Sequence, residues 1–558
     1  MLRQLATILL LLICQTAFSQ SSIFKDINEY SRQDSLRGSI TPERVWWDLI
    51  HYNLFVDVDL DNKSISGTNT ITYKPITEQS RMQIDLQQPM KITNITQAEK
   101  NIEFTRRGNV FYLDLPKDLR IGQNYQVKIS FEGVPKDAPN APWDGGFSWK
   151  KDENGKPFVA TSNQGIGASL WWPCKDHMYD EPDNGLTLSI QVPKNLVAVG
   201  NGRLTKTKKS GKDKIYTWTV SNPINNYGVN INIGDYVNFS EKYQGEKGPL
   251  DMSYWVLSYN LEKAKDHFID AKRAMQAFEH WFGPYPFYED SYKLVETPYL
   301  GMEHQSSVTY GNGYQKGYKG RDLSQTGWGL LWDYIIIHES GHEWFANNIT
   351  YIDMADMWVH ESFTTYSESL FIEYHYGPKA ASEYTRGMRL FIDNQRPLIG
   401  DYGVNNSGSK DMYNKGNNLL HTLRQVVNDD EKWRSTLRGL NEAFYHQMVT
   451  TDQVENFIAE SVVLNLEGFF DQYLRDARIP VLEYKVLNGN LIYRWSNCVS
   501  NFDMPVKVYH GEQELWLKPT NQFQQLPIEG EFLGLQSDPN FYIYTSNTMG
   551  EGNSISLD

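Results

Sequence analysis

Tyr334-Ile-Ile-Ile-His338-Glu339-Ser-Gly-His342-Glu-Trp344 is the stretch on which the reading of this chain turns. In the longer segment GLLWDYIIIHESGHEWFAN, Leu331, Tyr334, Ile335, His338, His342 and Phe345 recur at steps of three and four. They share one face of a helix expected over about 327–347. His338 and His342 are four apart, so their imidazoles stand one turn from each other and both can reach one metal ion. Glu339 points to the side of that face, where it can reach a water rather than join the same ligand tetrahedron. Two histidines packed on an apolar helix would show the same spacing, so the motif needs company.

A hydrolytic zinc needs a third protein ligand and an open position. Glu361 follows His342 with 18 residues between, in a second amphipathic segment, MADMWVHESFTTYSESLFIEYHYG. Its surroundings, Trp358-Val-His-Glu-Ser-Phe363, are mostly apolar, and a lone carboxylate there would be costly unless paired. Three outlying segments carry further polar groups: Leu300-Gly301-Met302-Glu303-His304, Tyr413-Asn-Lys415-Gly416, and TSNQGIGASLWWPCKD with Gln164.

Taken together, these residues resemble the M1 family of zinc aminopeptidases, within the gluzincins. The family pattern His-Glu-x-x-His, 18 residues, Glu is carried by His338, Glu339, His342 and Glu361. Trp344, Phe345 and Asn347 match its continuation, as does Asp356, either as a support for a ligand or as a loop or cap residue. The resemblance implies one Zn²⁺ per chain on His338, His342 and Glu361, with Glu339 as general base for a zinc-activated water. The family's Gly-x-Met-Glu-Asn segment is matched at Gly301, Met302 and Glu303, which implies that Glu303 binds the free amino group of a peptide, and it departs at Leu300 and His304. Tyr413, in Tyr-x-Lys-Gly, is implied as the group that stabilises the tetrahedral intermediate. Gln164 is implied as the partner of Glu303, whereas Trp171 and Trp172 read as packing residues. The implied reaction is hydrolysis of the N-terminal peptide bond of substrates with a free N-terminus. A thermolysin-type endopeptidase, which needs only the zinc set, is the alternative, and a non-catalytic zinc-containing scaffold is a more remote one.

Outward from the motif, the expected architecture is multidomain α+β. HYNLFVDVDLDNKSISGTNTITYKP and YQVKISFEGV alternate apolar and polar residues, which points to an antiparallel β domain over residues 20–240. LEKAKDHFIDAKRAMQAFEHWFG reads as a helix stopped at Gly283-Pro284 and introduces a mainly helical catalytic domain over 241–478, thermolysin-like by the resemblance. Further helices are expected near 356–376, 379–393, 415–428 and 431–447. A small C-terminal β-sandwich-like domain is expected over 479–558. The large helical C-terminal domain that usually follows in the family is not expected in this chain.

Residues 1–19 read as a signal peptide: Arg3, an apolar run from Leu5 to Cys14, then small residues before a cut after Ser19. The expectation is export to a periplasmic, cell-surface or extracellular location, with no transmembrane segment in the mature chain. A formal net charge of −15 argues against nucleic acid as a partner, and the basic run at Lys206–Lys209 reads as a solvated hairpin or loop. Of three cysteines, Cys174 and Cys498 remain after such a cut, paired or free.

Overall fold

The computed structural model describes residues 29–528, 532, 534–548 and 555–556. The expected signal peptide lies outside the described residues. A short helix, α1 (Arg32–Gly38), opens on a capping box between Ser31 and Asp34. The alternating segments then form an eight-stranded sheet from β1 (Trp47–Asp59), β2 (Ser64–Pro75), β3 (Lys91–Gln97), β4 (Lys100–Asn101), β5 (Tyr125–Gly133), β6 (Leu186–Pro193), β7 (Arg203–Ser210) and β8 (Asp213–Val220), in the order β7-β8-β6-β1-β2-β5-β3-β4. β1 and β2 pair as a hairpin whose turn is held by the Asp59 carboxylate, which accepts from the backbone of Asp61 and Asn62. Tyr52, Leu54 and Val56 point into the core at every second position. One pairing departs from the antiparallel expectation: β1 and β6 run parallel, Tyr52 opposite Leu186. The long chain between them places no hairpin constraint on their direction. The basic run lies on the solvent face of the β7–β8 hairpin.

A second sheet belongs to the catalytic region: β9 (Tyr236–Gly245), β10 (Gly248–Leu257), β11 (Tyr292–Glu296), β12 (Gly301–Met302) and β13 (Val308–Tyr310), in the order β9-β10-β11-β13-β12. The crossover between the parallel strands β10 and β11 is not the single helix expected but two, α2 (Leu261–His267) and α3 (Ile269–Phe282). The break at Phe268 turns Ile269 to solvent and Asp270 inward. There its carboxylate binds Arg273, Lys316 and the backbone of Asp333.

The motif helix α4 (Tyr334–Gly341) is shorter than the periodicity suggested. Asp333 starts it, one carboxylate oxygen accepting from the backbone of Ile335 and Ile336 and the other from the Tyr310 hydroxyl. Leu331 therefore precedes the helix and is exposed, and Phe345 follows it, stacked on Phe363 at 4.5 Å. Around α4 lie α5 (Trp358–Tyr376), α6 (Pro378–Gly387), α7 (Asn414–Val427) and α8 (Asp430–Ala443), close to the expected spans except that α6 gives way to a 3₁₀ turn at Met388. Two helices not expected follow, α9 (Thr451–Val462) and α10 (Glu467–Leu474). Glycines bring the helices together: a Cβ on Gly416 would lie 2.0 Å from Ser362 Oγ, and one on Gly341 2.4 Å from Ser367 Oγ.

From Val481 the chain forms a five-stranded and a three-stranded sheet. The eight-stranded sheet encloses its own apolar core, while the second core runs without interruption from the catalytic helices into Leu482, Trp495, Val506, Phe541 and Tyr542 of the C-terminal sheets. Cys174 is buried in the first core and Cys498 is half-buried in the C-terminal part, each a free thiol. Among the described residues no helix is long and apolar enough to cross a membrane.

Candidate active site

α4 presents His338 and His342, and α5 presents Glu361, so that one ligand atom from each lies within 4.8 Å of the others. Glu361 Oε2 stands 3.8 Å from His338 Nε2 and 3.5 Å from His342 Nε2. This oxygen is buried without a hydrogen-bond partner, a state expensive for a carboxylate unless a cation shares the space. The far ring nitrogens are occupied: His338 Nδ1 meets Glu368 Oε1 at 2.7 Å, and His342 Nδ1 meets the Phe345 carbonyl and Thr364 Oγ1, each at 3.0 Å. These contacts at Nδ1 turn both rings so that Nε2 faces Glu361. Two imidazoles and a carboxylate so arranged fit zinc with an open position. Glu368 and Thr364 are the site residues that sequence reasoning missed. Their signal was present, because they follow Glu361 by seven and three positions and so fall on the same face of α5.

Glu339 leans toward the edge strand β12. A Cβ on Gly301 would stand 2.9 Å from Glu339 Oε1, so the glycine is what lets backbone and carboxylate approach. Met302 follows, buried in a small cluster with Tyr227, Tyr299 and Ala160. Glu303 is buried beside His342 and Glu339, where its carboxylate belongs to a second metal-competent grouping. Gln164 ties the set together: its Nε2 donates to Glu303 Oε1 at 2.7 Å and to Glu361 Oε1 at 3.0 Å. The neighbouring Asn163 fixes the Gln164 loop by donating to the carbonyls of Tyr227 and Val229. Tyr413 stands at the start of α7, with its ring 6.1 Å from that of His338, and burial together with the nearby Glu361 and Glu303 raises its hydroxyl pKa.

The electrostatics follow from burial and crowding. Burial pushes Glu339 up to about 8 against the pull of His338. Burial also raises Glu303, with His342 opposing and Glu361 adding to the rise. Burial opposes charge on His342, yet Glu361 and Glu303 outweigh it and lift it to about 10. Three carboxylates facing two imidazoles favour positive charge in the space they share.

The segment carrying Glu303 is held from both sides. The Glu303 carbonyl accepts from Asn347 Nδ2 at 2.9 Å, and Ser306 N donates to Glu343 Oε1 at 2.8 Å. From the N-terminal part, Asn201 Nδ2 reaches the Gln305 carbonyl and Gly202 N reaches Ser306 Oγ. The two departures from the family pattern are structural here. Leu300 accepts from Gly311 N, and His304 is a fully buried ring beside Thr309 Oγ1, driven down to about 3 by burial and hence neutral. Asp356 takes the second of the two roles allowed it: it accepts from Thr451 Oγ1 and Tyr402 OH, both at 2.6 Å, and so holds the start of α9 rather than orienting His338, His342 or Glu361. Trp171 and Trp172 are fully buried packing residues.

The chain is similar to leukotriene A-4 hydrolase of Xenopus laevis, 22% identical over 75% of this chain and 68% of that protein. It is 23% identical to aminopeptidase B of Homo sapiens over 64% of this chain and 53% of that protein. It thus spans about half to two thirds of the curated relatives it matches. A mutant of the M1 zinc metallopeptidase from Deinococcus radiodurans, bound to a Tyr-Ser-Ala substrate, shares the fold with a TM-score of 0.68 and 21% identity, over 81% of this chain and 99% of that one. The unmutated Deinococcus radiodurans protein gives a TM-score of 0.66 at 20% identity, over 80% and 98%. Residues 49–227 match the Peptidase M1 N-terminal domain and residues 268–473 the Peptidase family M1 domain. The first match covers the eight-stranded sheet and the Gln164 loop, and the second covers Glu303, the His338–His342–Glu361 group and Tyr413: the chain belongs to the peptidase M1 family.

Proposed function

We propose that this protein is an aminopeptidase with one zinc ion per chain, which removes single residues from peptides with a free N-terminus. The observation that carries the reading is the Gln164 bridge. A carboxylate suited to an α-ammonium group, Glu303, is joined through one amide to the zinc ligand Glu361. An ammonium group anchored on Glu303 leaves only the first peptide bond within reach of Glu339. An endopeptidase would have no use for a buried Glu303–Gln164 pair.

Zinc on His338, His342 and Glu361 would supply a Lewis acid that polarises the scissile carbonyl and acidifies water. Glu339 takes the proton of the attacking water and passes it to the leaving amine. Tyr413 donates a hydrogen bond to the oxygen that gains charge, an effect of about 2.7–4 kcal/mol at comparable donors. Glu368 and the Phe345 carbonyl keep His338 and His342 in the tautomer that leaves Nε2 free. The charged start, apolar run and small residues of 1–19 support export, which would place the enzyme among extracytoplasmic peptides.

The test is to measure zinc per chain and hydrolysis of aminoacyl p-nitroanilides before and after chelation, and with Glu339→Gln. The expected results are one zinc, loss of turnover on chelation, and a Glu339→Gln protein that keeps its zinc while losing about 10²–10⁴-fold in kcat. A chelated protein that works normally, or a Glu339→Gln protein near full activity, overturns the reading.

A further inference from the structure

We propose that Tyr542 of the C-terminal β part is a positioning residue for Tyr413, so that this part of the chain is a brace built into the catalytic machinery. The proposal rests on the aminopeptidase reading only for the role of Tyr413. It starts from the core that the C-terminal sheets share with the catalytic helices. One line of contact runs through Asn540, Phe541 and Tyr542, which enter between α6 and α7. Asn540 Oδ1 accepts from Ser382 Oγ at 2.5 Å on α6 and from His421 Nε2 at 2.9 Å on α7. Burial drives His421 down to about 4, so its ring is neutral and Nε2 carries the donated proton. The backbone N–H of Tyr542 donates to Thr422 Oγ1, and the Phe541 carbonyl accepts from Arg389.

From this anchor a chain of bonds leads to the site. The Tyr542 hydroxyl accepts from Asn394 Nδ2 at 2.8 Å. The backbone N–H of Asn394 donates to Asp411 Oδ2 at 2.6 Å, and that of Asp393 to Asp411 Oδ1 at 2.9 Å. Asp411 is buried, two residues before Tyr413, in the 3₁₀ turn Lys410–Met412 that sets the entry of α7. The opposite side of this turn is fixed to the zinc helices, because Ser362 Oγ, next to Glu361, donates to the Met412 carbonyl at 2.7 Å. The turn bearing Tyr413 is therefore gripped between the zinc-ligand helix α5 and the C-terminal part. Asn394 itself sits at φ +51°, a conformation that Asn tolerates better than most residues but that needs outside support. Tyr542 supplies that support.

Tyr542→Phe removes only the hydroxyl and leaves the ring under the Arg389 guanidinium, 5.3 Å from its centroid. Two readouts on the zinc-loaded protein decide the matter. The first is a double-mutant cycle with Tyr413→Phe on an aminoacyl p-nitroanilide. Tyr542→Phe alone is expected to lower kcat about 3–30-fold with KM within about twofold, and to change kcat less than about twofold in the Tyr413→Phe background, because the two residues act as one unit. The second is amide hydrogen exchange. Residues 411–416 are expected to exchange about tenfold faster in Tyr542→Phe, while 334–341 are unchanged. An equal loss of kcat in both backgrounds, a change confined to KM, or unaltered exchange at 411–416 overturns the brace. Should the parent protein cleave no free-amine substrate, the functional reading fails, and the exchange readout still decides whether the brace exists.

Discussion

Glu339 owes its position to a neighbour with no side chain. Gly301 brings the edge strand β12 within a Cβ's reach of the carboxylate, so the Glu339 carboxylate and the strand backbone share one narrow space. At this scale the sequence was most legible where chemistry forces fixed spacing. His338, His342 and Glu361 stood out because a shared metal ion would dictate such intervals, and the structure does bring their ligand atoms within 4.8 Å of one another. Gln164 and Glu303 could be read only by resemblance, because 139 positions separate two side chains that meet at 2.7 Å. Glu368 was readable in principle but unmarked, a carboxylate on an amphipathic helix like many others. Its bond to His338 Nδ1, and the Tyr384 hydroxyl that holds its second oxygen at 2.6 Å, make a specific prediction. Glu368→Ala should weaken zinc binding about 10–100-fold, measured by competition with a chromogenic chelator. Unchanged affinity would mean that His338 needs no partner to orient it.

The elements are set by caps and by polar groups that must turn inward, which periodicity does not report. The apolar pattern around the motif extends over 327–347, yet α4 covers only Tyr334–Gly341, because Asp333 satisfies the first free N–H groups and fixes the start. The helix read through Phe268 is broken so that Asp270 can reach Arg273, Lys316 and Asp333. The packing of α7 on α5 depends on Gly416, where an added Cβ would meet Ser362 at 2.0 Å. Gly416→Ala should therefore push α7 and Tyr413 away from Glu361 and destabilise the fold by about 1–3 kcal/mol, read from chemical denaturation. A variant as stable as the parent, with unchanged kcat, would show that the two helices have room to spare.

The whole molecule places the site where two cores meet. His338, His342, Glu361 and Glu303 belong to the catalytic part, but Gln164 comes from the N-terminal part, and Asn201 and Gly202 of that part hold the segment after Glu303. A buried carboxyl lies in the same interface: Glu181 accepts from Thr350 Oγ1 at 2.9 Å, and burial lifts it from 4.5 to about 8. A carboxyl raised in this way is protonated when folded. Stability linked to it is intact below about pH 4.5 and is lost as pH rises toward 8, by at most about 1.4 kcal/mol per pH unit. Glu181→Gln should accordingly be more stable than the parent at pH 8 and equal to it near pH 4, which thermal unfolding across that range can check. An advantage of the same size at both pH values would place the effect elsewhere. The claim that unites these scales is that Glu303, held by Gln164, decides which end of a peptide is cut. The most direct measurement is kcat/KM for an aminoacyl p-nitroanilide and its N-acetylated form, in the parent and in Glu303→Ala. The account predicts a preference for the free amine of about 30-fold or more, from the 2–5 kcal/mol of a buried charge pair, collapsing in the variant. Equal cleavage of the two substrates by the parent, or a preference that survives the loss of Glu303, would contradict it.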